Sequence, residues 1–140
     1  MRVSTFTVEG QYNNEHVKVL MKDNEVDVGT VGSDYLSPEE LLLASALSCL
    51  ILTIRYFAKL HGVNIKSIEG YIEGDIDMSS MESLGEYTGM KEIRYHIKVE
   101  SDHKNVPDIL NLAAQKCPMK NTIEKGVKTK IEWIIKNENP

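Results

Sequence analysis

Ser37-Pro38-Glu39-Glu40-Leu41-Leu42-Leu43-Ala44-Ser45-Ala46-Leu47-Ser48-Cys49-Leu50-Ile51-Leu52-Thr53-Ile54 is the stretch on which the reading of this chain turns. Its first four residues are a helix start: Ser37 can cap, Pro38 suits the first helical position, and Glu40 completes a capping box. The helix is predicted from Pro38 to His61, with Gly62 ending it. One stripe is wholly apolar (Leu43, Leu47, Leu50, Ile54, Phe57), and beside it lies a mixed stripe of Leu42, Ser45, Cys49, Thr53 and Tyr56. A helix apolar around most of its girth is buried on several sides, so a wrapped sheet or a partner subunit must cover it.

On either side of this helix the period changes to two. Val17, Val19 and Met21 alternate with polar or outward positions, and Val26 and Val28 flank Asp27, which predicts short strands before residue 30. After Gly62, Ile68, Gly70, Ile72, Gly74, Ile76 and Met78 face one way. A loop rich in Ser, Glu and Gly leads to a second strand in which Ile93, Tyr95, Ile97 and Val99 face inward. Pro107 opens another helix, which ends or kinks at Cys117-Pro118 because proline disfavours helical geometry in the preceding residue. Pro118 starts a short helix closing at Gly126, and Val127, Thr129, Ile131, Trp133 and Ile135 mark a final strand. The order is βββ-α-ββ-αα-β, an α+β fold with antiparallel sheet against a long helix, in a single domain over residues 1–140.

Composition narrows the function classes. A chain of 140 residues is one domain's worth, and a net charge of −5 with Arg2, Arg55 and Arg94 scattered leaves no basic footprint for nucleic acid. The run from Leu41 to Ile54 is shorter than the ~20 apolar residues of a membrane span, so no membrane partner is expected. Met1 leads into an alternating segment without the basic start and apolar core of a signal peptide. The 2 cysteines do not make a secreted disulfide scaffold, and a cytoplasmic setting is expected, where the disulfides that do form are mostly transient and catalytic.

Chemistry could reside in few places. Cys49 lies beyond the helix turn where the macrodipole helps, in apolar surroundings that oppose a thiolate. Cys117 has better local physics, at the cap of the next short helix, where backbone N–H groups favour an anion. The bland alternative is that both are small hydrophobes in a core. Glu39 favours the positive end of the helix dipole, and about 15 Å of helix separates it from Cys49 at 1.5 Å per residue. The 4 histidines, His16, His61, His96 and His103, show no paired ligand spacing, and neither cysteine lies in a C-x-x-C pair, so no metal is expected. There is no Walker loop, dinucleotide fingerprint or G-x-S-x-G elbow. Tyr56, Phe57, Tyr95 and Trp133 fall on inward patterns and are read as core.

Taken together, the Ser37–Cys49 segment and Cys117-Pro118 with Gly126 and a closing strand behind it resemble the OsmC/Ohr family of osmotically induced and organic-hydroperoxide-resistance proteins. The resemblance covers nearly the whole chain. It implies an intertwined homodimer with sheets wrapped around central helices and active sites at the subunit interface. It also implies a thiol peroxidase acting on small organic hydroperoxides, with no bound cofactor and with an external dithiol or a lipoylated protein as reductant. By resemblance, Cys49 is the peroxidatic thiol, Cys117 resolves its sulfenic acid as a disulfide, and Glu39 is the acidic partner of an arginine. The family's arginine precedes the long helix, yet Val3 to Ser37 contains none. Gln11, Asn13, Asn14 or Lys18 would have to stand in, without a rigid guanidinium fork. A second reading is therefore a non-catalytic, small-ligand-binding or stress-response dimer that kept the fold and lost the activating arginine.

Overall fold

The structure, a computed structural model, describes residues 1–136. Three short strands open it, β1 (Glu9–Tyr12), β2 (Val17–Met21) and β3 (Asn24–Val28), joined as an antiparallel meander in the order β1-β2-β3. Helix α1 (Pro38–Leu60) follows, then β4 (Ser67–Asp75) and β5 (Glu92–Glu100), which pair antiparallel from Ser67↔Glu100 to Asp75↔Glu92. Helices α2 (Val106–Lys116) and α3 (Pro118–Lys125) complete the ordered elements. This is the expected α+β architecture, with α1 at its centre and β4, α2 and α3 packed along it.

The start of α1 forms as its sequence dictates. The Glu40 N–H donates to Ser37 Oγ at 3.1 Å and the Ser37 N–H donates to Glu40 Oε1 at 3.1 Å, a reciprocal capping box. At the other end His61 is the cap, and Gly62 takes φ +66°, a left-handed conformation that favours glycine. The core is built from Leu50, Ile54 and Ala58 of α1, Val63, Ile109 and Ala113, and Cys117, with Ile68, Tyr95 and Ile97 of the sheet packed against it. Gly74 of β4 lets α1 come close: a Cβ there would lie 3.2 Å from Leu43 Cδ2 and 2.7 Å from Met90 Sδ.

Three expectations are corrected. No strand forms over residues 127–136, and Trp133 and Ile135 are 81% and 90% exposed. Period-two alternation specifies a face, but a strand also needs a neighbour's N–H and C=O groups, and this chain alone supplies none there. Tyr56 is likewise 61% exposed, so of the aromatics read as core only Phe57 and Tyr95 pack there. Finally, α1 has 23 residues and is long and apolar enough to cross a membrane by length and composition, although the apolar run alone fell short. Only one side of it is deeply buried, at Ala46, Leu50, Ile54 and Ala58, while Leu42, Leu52 and Tyr56 are exposed.

Because the capping box satisfies the first-turn amides of the central helix, Ser37→Ala should cost about 1 kcal/mol and lower Tm by about 3 °C, readable by thermal circular dichroism.

Candidate active site

The two cysteines meet across the junction of α1, α2 and α3. Cys117 ends α2 and caps α3 with extended backbone (φ −66°, ψ 113°), the geometry that Pro118 imposes on its predecessor. That turn carries its side chain into the core, where it is fully buried in the cluster against which Cys49 packs, close enough that the Cys49 thiol pushes its pKa up. Both thiols are free in this structure.

Their environments differ in a way that reverses the order expected from local sequence. Burial pushes the Cys117 thiol above its ordinary pKa. The backbone N–H groups of Lys120 and Met119, in the first turn of α3, pull the other way, and the charge and hydrogen bond of Cys49 push it up again. The amides are there as anticipated, but the sulfur makes no capping hydrogen bond of strict geometry and desolvation wins. Cys49 is only half-buried and borders an apolar groove of about 600 Å³ whose walls include Ser45, Leu52, Tyr56, Lys116 and Pro118. The accessible thiol is thus the one on the long helix.

Glu39 is not beside the sulfurs. It lies in the first turn of the same continuous helix, about 15 Å from Cys49 along its axis. Its carboxylate is half-buried, and Oε1 has no hydrogen-bond partner and no contact with solvent. It borders three adjoining cavities, the largest of about 760 Å³, which Leu42, Met90, Tyr95, Lys120 and Ile123 also line. Among the described residues no cation pairs with it. Arg94 is held on the outer face of β5 by Asp75 and Glu92, each at 2.7 Å, and Lys120 pairs with Glu124. Among the same residues no cluster of three or more His, Cys, Asp or Glu could hold a metal ion.

The sequence reading missed two groups. Tyr95 was assigned to the core by its alternation, and its ring does pack there, but its hydroxyl is buried without a partner, and burial followed by negative charge on Cys117 or Cys49 pushes its pKa up. Alternation reports which face a residue takes and is silent on where a hydroxyl ends. Lys120 carried a weak signal, three residues past a predicted helix cap. The structure places it in the cavity that holds Glu39.

Comparison with known proteins bears on the fold. The sequence matches the family described as OsmC-like protein over residues 31–132. A search of curated proteins finds no match. Among solved structures, an OsmC-like protein from Mycoplasma pneumoniae superposes with a TM-score of 0.76 at 14% identity, covering 88% of this chain and 89% of that one. An organic hydroperoxide resistance protein OsmC from Legionella pneumophila gives a TM-score of 0.69 at 17% identity, over 88% and 91% of the two chains. The organic hydroperoxide resistance protein OhrB of Bacillus subtilis gives 0.59 at 20% identity, over 92% and 97%. At such identities the superpositions establish the fold alone, and with the sequence match over well over half its length, this chain belongs to the OsmC-like protein family.

Proposed function

We propose that this protein is a thiol peroxidase that reduces small organic hydroperoxides with the Cys49/Cys117 pair. The observation that carries the reading is the packing of an accessible thiol, Cys49, against the core cluster that holds a buried one, Cys117, at a helix N-terminus. The Cys49 thiolate attacks the terminal oxygen of R–O–O–H, forming a sulfenic acid as the O–O bond breaks and the alcohol leaves. The Cys117 sulfur then attacks Cys49, water departs, and an intramolecular disulfide results. Because Cys49 packs against the cluster that holds Cys117, the second step joins two side chains that are already neighbours. An external dithiol or a lipoylated protein returns both thiols, in a cytoplasmic setting, and no cofactor enters the cycle. Two neighbours of this fold are named as organic hydroperoxide resistance proteins, which supports the substrate class.

The working unit in this proposal is a homodimer. The exposed stripe of Leu42, Leu52 and Tyr56 on α1, and the unpaired alternating segment ending in Trp133 and Ile135, are apolar surface that a second copy would cover. The unpartnered Glu39 Oε1 favours the second reading, a binding dimer without turnover, because the acidic partner stands with nothing to orient.

Three outcomes are expected. Mass spectrometry after one equivalent of cumene hydroperoxide should show both thiols lost within one chain, and Cys49→Ser should abolish dithiol-dependent peroxide consumption. Retention of both thiols would select the binding dimer. With iodoacetamide, Cys117 in the Cys49→Ser protein should react more slowly than an ordinary thiol near pH 8, the gap closing as pH rises, because burial holds its proton. Sedimentation should give a dimer, and Leu52→Glu should shift it to monomer by placing a charge in the apolar stripe.

A further inference from the structure

We propose that Lys116 selects hydroperoxides that carry a carboxylate, holding that group with its ammonium while the peroxide reaches Cys49; this role deepens the peroxidase reading above and rests on it. Lys116 is the last residue of α2, immediately before the break at Cys117-Pro118, and it is exposed. It lines the same groove of about 600 Å³ as the accessible thiol, so a molecule that fills the groove touches both residues. The turn that buries Cys117 thus leaves its neighbour in sequence on the groove wall.

Lys116 is the one charged residue among those that line the groove. Leu52, Tyr56, Phe57 and Pro118 supply apolar wall. Ser45, Ser48 and Thr53 line it too, but their hydroxyls donate to the α1 carbonyls of Leu42, Ala44 and Cys49, each at 2.7 Å. Those protons are engaged within the helix rather than offered to a ligand. Among the described residues no carboxylate borders the groove, although the chain has a net charge of −5 and the cavity beside Glu39 also holds Glu92 and Glu124. Lys18, Lys66 and Lys120 each face a carboxylate, whereas among the described residues Lys116 makes no ion pair.

A free cation in an apolar groove fits a ligand with one apolar body and one anion. The body covers Leu52, Tyr56 and Phe57, and the carboxylate reaches Lys116; a neutral hydroperoxide gains the apolar contacts alone. Because Lys116 is exposed, the added attraction is that of a surface ion pair, a few-fold in affinity and sensitive to salt. Leu52 and Tyr56 also belong to the α1 stripe assigned above to a second copy, and Lys116, on α2, lies outside that stripe.

The test compares cumene hydroperoxide with its para-carboxylate, two probes that differ in one charge, in dithiothreitol-dependent turnover. It uses the full-length wild type, Lys116→Gln and Lys116→Glu. The ratio of kcat/KM for the carboxylate to that for the neutral probe should fall about 3-fold in Lys116→Gln and about 10-fold in Lys116→Glu, mostly through KM. The wild-type ratio should fall to that of Lys116→Gln between about 0.01 M and about 1 M salt, as the screening length drops from about 30 Å to about 3 Å. A ratio unchanged in both variants, whether both rates hold or both fall together, would overturn the assignment while leaving the peroxidase reading intact. Failure of the wild type to turn over either probe would remove both.

Discussion

The break at Pro118 is the constraint on which the chemistry of this fold depends. Without it, α2 and α3 would continue as one helix and Cys117 would face whichever side its turn allowed. With it, Cys117 is forced into extended geometry, the chain turns, and two helices rather than one pack on α1. The sulfur points into the core against Cys49, and fresh helix amides arrive beside it. One covalent ring thus sets a sulfur contact, a helix N-terminus and the packing of the second helical layer.

That contact is asymmetric. Cys117 is sealed in the core, and burial outweighs its favourable amides, so its proton is held more tightly than usual. Cys49 opens onto a groove. An exposed nucleophile beside a protected partner is the division of labour that a two-step thiol reaction needs, since the first sulfur must meet substrate and the second must meet only the first. Glu39 Oε1 and the Tyr95 hydroxyl are buried without partners, and both residues contribute to the walls of one cavity. Buried polar atoms without partners are costly in a folded core.

The chain leaves unfinished surfaces elsewhere. α1 is covered along one side by β4, α2 and α3 and exposes Leu52 and Tyr56 on another. The segment beyond Gly126 has strand-like alternation and no ladder. Trp133 was read as core because its alternation marks one face, and it is 81% exposed.

Local patterning alone determined the helix start at Ser37-Pro38, the stop at Gly62, the strand faces from residues 67 to 100, and the break at Cys117-Pro118, because caps, proline geometry and side-chain period act over a few residues. Those same residues carried the resemblance that singled out Cys49, Cys117 and Glu39. Tertiary structure alone decided which thiol is accessible, that the Tyr95 hydroxyl is buried without a partner, and that Glu39 Oε1 is left unpaired. Desolvation and hydrogen-bond satisfaction depend on what packs around a group from distant parts of the chain. Local sequence rated Cys117 the more reactive thiol because it registers the helix amides; only packing registers the burial that outweighs them.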